Sequence, residues 1–175
     1  MLRDLGAEAR EVRTPADLLG PPTLDGLIIP GGESTTMTLG IAREGLAEPL
    51  RELAQSGTPV LGTCAGMIML DRDHLGVADW VCKRNAWGRQ IFSFEEDLEL
   101  PGVDGRLRAV FIRAPRLDAP DPAVDVLAEV DGHPVAIRKD NILAVAFHPE
   151  LTDDARVHAW LVDQVRQRAD DKEHA

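Results

Sequence analysis

Pro59-Val60-Leu61-Gly62-Thr63-Cys64-Ala65-Gly66 is an apolar run that ends in a glycine-flanked turn holding a single cysteine, with helical sequence beyond it. A sharp strand-to-helix turn of the G-x-nucleophile-x-G kind needs small residues on both sides. The central side chain then stands proud of the sheet, near the N-terminus of the next helix. Glycine supplies the required backbone angles without steric cost. The pattern predicts a nucleophile elbow with Cys64 at its tip. A nucleophile of this kind needs a base to take its proton and a carboxylate to orient that base. His148-Pro149-Glu150, at the end of a later apolar run, offers both. Alone, a cysteine after an apolar run is more often a small buried hydrophobe, and a His-Pro-Glu tripeptide more often a strand end. The combination in one short chain is what points to chemistry.

Working outward, Leu27-Ile28-Ile29 reads as a second buried strand, which breaks at Pro30-Gly31-Gly32-Glu33-Ser34-Thr35 and runs into helical sequence. Leu46, Leu50, Leu53 and Ala54 recur at helical spacing up to a stop near Gly57. Two short, continuous apolar strands joined by a helix, each closed by glycines, are the pattern of a parallel βαβ unit buried on both faces. Ligands of such sheets bind beyond the carboxyl ends of the strands, so Gly32 and Cys64 should face one crevice.

Before this unit, Leu2, Leu5 and Gly6 read as the last turn of a helix with its glycine stop, and Ala9 to Val12 as a short strand. Thr14-Pro15 opens a brief helix as cap and first residue. After it come closely spaced strands at Ala109 to Ile112, Val126 to Val130, Val135 to Ile137 and Ile142 to Phe147. Asp131-Gly132 and Lys139-Asp140-Asn141 supply the turns between the last three. A final helix is expected from about Asp153 to Arg168, followed by a solvated polar tail at 170–175. One domain therefore covers residues 1–169.

Composition narrows the functional classes. Nineteen Lys and Arg against thirty Asp and Glu give a formal charge of −11, which repels a phosphate backbone, so nucleic acid is not an expected partner. No apolar stretch is long enough to span a bilayer, and the N-terminus lacks a secretory signal pattern, which makes a cytoplasmic protein the expectation. The two cysteines, Cys64 and Cys82, have no C-x-x-C spacing, so neither a disulfide framework nor a metal site is expected. Cys82 reads as a structural thiol and His133 as a loop histidine beside its turn. His74 and His158 have no partner that the sequence identifies.

Five segments taken together resemble a known family. They are Pro30-Gly31-Gly32-Glu33-Ser34-Thr35-Thr36, Gly62-Thr63-Cys64-Ala65-Gly66, Arg84-Asn85-Ala86-Trp87-Gly88-Arg89-Gln90, Phe111-Ile112-Arg113-Ala114-Pro115 and Phe147-His148-Pro149-Glu150-Leu151. In this order they look like the motifs of the glutaminase subunits of two-component pyridoxal 5′-phosphate synthases, which are triad-type class I glutamine amidotransferases. The resemblance implies a flavodoxin-like, three-layer α/β/α sandwich. It also implies hydrolysis of L-glutamine to L-glutamate and ammonia, the ammonia passing to a separate synthase subunit that makes the vitamin B6 coenzyme, with no cofactor on the glutaminase.

By motif matching, Cys64, His148 and Glu150 are the catalytic residues, and the N–H groups of Gly32 and Ala65 hold the oxyanion. Gly32, Glu33, Ser34, Arg84, Ile112 and Arg113 recognise glutamine, whose α-carboxylate suits an arginine and whose α-ammonium suits a carboxylate. Plainer readings stand beside these: Glu33 as a first-turn helix acid, Arg84 as a surface arginine, Arg113 as an edge residue. Two alternatives share the motifs, a related cysteine hydrolase of γ-glutamyl peptides and an inactive subunit that only binds the synthase.

The sequence departs from the family pattern in three places. Family members open with a buried strand and a Leu-Gln-Gly turn, so the expected fold lacks its first strand and the domain is truncated at its N-terminus. The connection at 71–83 is short, which puts the placement of Arg84 in question. Trp87 stands where phenylalanine is common.

Overall fold

The computed structural model describes residues 1–84, 93–117 and 120–174. The first half contains α1 (Pro15–Leu19), β1 (Leu27–Ile29), α2 (Ser34–Arg43), α3 (Ala47–Gln55), β2 (Val60–Thr63) and α4 (Ala65–Met69). The second half contains β3 (Cys82–Lys83), β4 (Ser93–Glu99), β5 (Arg106–Ile112), β6 (Arg116–Leu117), β7 (Asp125–Val130), β8 (His133–Lys139), β9 (Ile142–Val145), a 3-10 turn at Pro149–Leu151 and α5 (Arg156–Glu173).

The central sheet has the order β1-β2-β9-β8-β7. Its first three strands are parallel, with Ile29 opposite Gly62 and Thr63 opposite Val145. Strands β8 and β7 turn back antiparallel. Every residue of β2 and β9 is buried, as continuous apolar strands covered on both faces require. Helices α4 and α5 both pack against β2. This is an α/β fold with a parallel centre, and the registry brings the C-terminal ends of β1 and β2 side by side.

Local chemistry explains the main elements. Thr14 and Asp17 form a reciprocal capping box at α1, with Pro15 in the first turn. Asp131-Gly132 makes the β7–β8 turn with both residues at positive φ, 51° and 74°, as a tight hairpin requires. Phe111 stacks on Phe94 at 4.4 Å and meets Phe147 edge-on at 5.6 Å, tying β4 and β5 to the chain leading out of β9.

The structure corrects the sequence reading in several places. Residues 9–12 join no sheet. The polar segment Ser93–Glu99, not anticipated as a strand, pairs along its length with Arg106–Ile112. Its exposed acids face Arg106 and Arg108 of the partner strand, so it needs no apolar alternation. His133 begins β8 instead of lying in a loop. The last helix starts at Arg156 and runs to Glu173, so all but the end of the expected tail is helical, though exposed. Charged side chains are good helix formers, and the helix continues into solvent after its apolar face ends.

Candidate active site

At the end of β2 the chain turns through Cys64 with φ 48° and ψ −107°, then enters α4. A non-glycine residue in that region is strained, and the surrounding structure holds it there. The Cys64 N–H donates to the Val145 carbonyl at 2.8 Å, tying the elbow to β9. The flanking glycines are obligatory for packing. A Cβ on Gly66 would stand 1.8 Å from the Ile29 carbonyl oxygen, and one on Gly62 would stand 2.6 Å from Leu70 Cδ1. The Cys64 thiol donates to the Ile112 carbonyl at 3.8 Å, so the end of β5 forms one wall of the site.

His148 follows β9, and its N–H donates to the Val110 carbonyl at 2.8 Å. Pro149 then starts a 3-10 turn that folds Glu150 back, and Glu150 Oε1 accepts from His148 Nδ1 at 2.7 Å. That bond leaves Nε2 for the cysteine. A hydrogen bond to Cys64, followed by the one to Glu150, outweighs burial and raises His148 from its ordinary value to about 10. Burial pushes Glu150 up, but the hydrogen bond from His148 and a backbone hydrogen bond prevail, and its carboxyl lies below the ordinary range. Cys64, His148 and Glu150 are thus joined in series.

Across the crevice, β1 ends in Gly31 and Gly32. Gly31 N–H donates to Thr63 Oγ1 at 3.1 Å. A Cβ on Gly31 would lie 2.5 Å from His148 Cε1 and 3.4 Å from Cys64 Cβ, so this glycine touches both. Gly31 and Thr63 both stand in quoted motifs but carry no role in the sequence reading, because neither residue type advertises a packing role. Ala65 is the first residue of α4, where a backbone N–H has no partner within the helix. Ala65 thus adjoins Cys64 in the elbow, and Gly32 adjoins Gly31 at the end of β1.

Glu33 caps α2, accepting from the N–H groups of Thr35 at 3.1 Å and Thr36 at 2.7 Å. The Thr36 N–H contributes most, followed by that of Thr35, in lowering its carboxyl to about 2. Arg84 Nη1 donates to Ser34 Oγ at 2.9 Å and Thr35 Oγ1 at 2.8 Å, and lies 3.6 Å from Glu33 Oε1. Glu33, Ser34 and Arg84 are therefore one cluster, and the short 71–83 segment still delivers Arg84 to it. Asp71 organises that segment: it accepts from the N–H groups of Asp73 and Cys82 at 2.9 and 3.1 Å and pairs with His74 Nδ1 at 2.7 Å. His74 thus has a partner that sequence did not suggest. The Cys82 thiol is pushed far up, first by burial and then by Asp71, as suits a structural thiol.

Ile112 ends β5 and Arg113 follows it; both are exposed, with Arg113 at φ 45°. The segment 85–90, with Trp87, lies outside the described residues. His158 is buried, with no hydrogen-bond partner for Nδ1 among the described residues. No cluster of metal-ligating side chains occurs among the described residues, and none of the helices described is long and apolar enough to cross a membrane.

A doubly wound sheet with a cysteine elbow at the crevice and a histidine–glutamate pair against it defines the class of cysteine-dependent α/β amidotransferases. The chain belongs to the SNO glutamine amidotransferase family, whose pattern matches residues 1–167. It is 49% identical over 174 residues to a pyridoxal 5′-phosphate synthase subunit PdxT from Fervidobacterium nodosum, covering 95% of this chain and 90% of the relative. Its identity to the protein of the same name from Mycobacteroides abscessus is 51% over 174 residues, covering 94% and 89%. A crystal structure of a glutamine amidotransferase superposes with a TM-score of 0.85 at 40% identity, covering 94% of this chain and 89% of that one.

Proposed function

We infer that this chain is the glutaminase of a pyridoxal 5′-phosphate synthase: it hydrolyses L-glutamine to L-glutamate and ammonia, and the ammonia serves vitamin B6 synthesis. The observation that carries the site assignment is the series Cys64–His148–Glu150, with the 2.7 Å bond to Glu150 fixing the imidazole.

In this reading Cys64 Sγ attacks the side-chain amide carbon of glutamine while His148 holds the proton taken from it. The tetrahedral oxyanion is met by the N–H groups of Gly32 and Ala65, a kind of contact worth about 3 kcal/mol per donor in the transition state. On collapse the C–N bond breaks, His148 returns its proton to the leaving nitrogen, and a γ-glutamyl thioester remains. His148 then takes a proton from water, which attacks the thioester. Cleavage of the C–S bond releases glutamate and restores the thiol. Glu150 stays ionised throughout and orients the ring.

Glutamine is held by Gly32, Glu33, Ser34, Arg84, Ile112 and Arg113. Glu33, lowered to about 2, is an anion at neutral pH and suits the substrate ammonium; Arg84 suits its carboxylate. The partner is a synthase subunit receiving ammonia, and the setting is the cytoplasm. The test is glutamate release from L-glutamine with and without a synthase subunit, using Cys64→Ala as blank. Release that needs Cys64 and rises with the partner is expected. Turnover surviving in Cys64→Ala, or confined to γ-glutamyl peptides, overturns the assignment.

A further inference from the structure

Pairing between β1 and β2 changes character where β1 ends. Leu27 donates its N–H to the Pro59 carbonyl at 2.9 Å, and Ile29 lies opposite Gly62. A parallel ladder advances by two residues on each strand. The donors that follow Leu27 on this edge are therefore Ile29 and Gly31, and the acceptor due to Gly31 is the Thr63 carbonyl. Pro30 between them has no N–H to give. Gly31 takes the Thr63 side chain instead: its N–H donates to Oγ1 at 3.1 Å. Thr63 is 2% exposed, so water competes little for that oxygen.

The next peptide group carries the consequence. Gly32 is exposed, and its N–H has no hydrogen-bond acceptor among the described residues. Two successive glycines have wide conformational freedom, so a free N–H on the second is aimed only when the chain is fixed on both sides. On one side Glu33 fixes it by capping α2. On the other, the bond from Gly31 to Thr63 ties it to the residue directly before Cys64. Threonine suits this task, because its branched Cβ leaves χ1 few choices and holds the hydroxyl in place.

We propose that Thr63 is a positioning residue: by accepting the Gly31 N–H it sets the Gly31–Gly32 turn and so aims the Gly32 N–H at the oxyanion formed beside Cys64. This role rests on the glutaminase reading above, in which Gly32 is an oxyanion donor. Such donors contribute because they need no reorganisation when charge develops, and a donor that wanders loses that advantage. A hydroxyl that merely closed the end of the sheet would move stability and leave kcat alone.

The test compares the whole protein with Thr63→Val, which keeps the branched shape but loses the acceptor, and Thr63→Ser, which keeps the acceptor. Glutamine turnover is measured with a synthase subunit present, and circular dichroism checks folding. Thr63→Val should lose about 10- to 100-fold in kcat with KM little changed, up to the loss expected for a whole oxyanion donor. Thr63→Ser should recover most of it. The Gly31 amide should exchange with solvent faster in Thr63→Val than in the other two proteins. Alkylation of Cys64 by iodoacetamide, followed by mass spectrometry, is the control. Displacement at a saturated carbon forms no oxyanion, so its rate should be alike in all three. Parent-like kcat in Thr63→Val overturns the proposal, as does unchanged Gly31 exchange, a loss confined to KM, or a loss that alkylation shares. Thr63→Ala lacks the same acceptor and carries the same expectations should Thr63→Val not fold. A parent that releases no glutamate overturns the glutaminase reading and this role with it, whereas variants that match an active parent overturn this role alone.

Discussion

Gly31 leaves the space that the His148 ring occupies: a side-chain carbon at position 31 would stand 2.5 Å from His148 Cε1 and 2.9 Å from Nδ1. Glycine is needed here for room, not for an unusual backbone angle. The Gly31→Ala variant should fold with near-normal stability, because the ring can swing outward, but it should lose about 10²–10⁴-fold in glutamine turnover as the imidazole proposed as the base leaves Cys64 and Glu150. Circular dichroism with glutamate release checks both halves, and near-normal turnover would refute the contact's importance.

Gly66 poses the opposite case. An added Cβ would lie 1.8 Å from a backbone oxygen of β1, and backbone in a buried sheet cannot yield cheaply. Gly66→Ala should lose about 1–3 kcal/mol or more in urea unfolding. Gly40, inside α2, has nothing within 4 Å of an added Cβ. Gly40→Ala should gain about 0.5–1 kcal/mol through helix propensity, and the pair of variants separates steric from conformational effects.

Much of this site was readable from residue order. The glycines about Cys64 report the close approach of α4 to β1, and the intervening proline of His148-Pro149-Glu150 sets the short turn that returns Glu150 to the ring. Both are local devices, so sequence shows them. The Asp71 hub was not readable, because Cys82 N–H reaches it across eleven residues. Strand β4 was hidden for a different reason: its stability comes from cross-strand pairing and opposite charges instead of burial. The opposite error occurred at Ala9–Val12, where a strand-like pattern has no hydrogen-bonded neighbour in the described structure. Glu33 shows that one residue can satisfy two readings, since it caps α2 while lying 3.6 Å from Arg84.

The His148–Glu150 pair gives stability a pH window. His148 is raised to about 10, so its contribution is complete below its ordinary value of 6.5 and is lost as pH climbs through about 10. Glu150 is lowered, so its contribution is present above its ordinary 4.5 and is lost as pH falls through the depressed value. The stability difference between the parent and Glu150→Gln should therefore be greatest near pH 5–6.5 and shrink on both sides. In NMR the imidazole should titrate near 10, with Cys64→Ala lowering that midpoint more than Glu150→Gln, because the bond to Cys64 is the larger cause. The midpoint belongs to the coupled pair, not to the ring alone. Titration near the ordinary value in the parent protein would rule out the pairing.

Asp71 links the core to the segment that ends at Arg84. It is 1% exposed and its carboxylate serves two backbone N–H groups and His74. Asp71→Ala leaves those exposed or partly buried donors without their acceptor, at up to about 1–3 kcal/mol for one that water cannot reach and less for the others. Asp71→Asn keeps an acceptor oxygen and should recover part of the loss. Because the segment that Asp71 fixes ends at Arg84, the weaker anchoring should also raise KM for glutamine more than it lowers kcat. Urea midpoints combined with steady-state kinetics decide the matter: destabilisation with KM unchanged would mean that Arg84 is held by Ser34 and Thr35 alone.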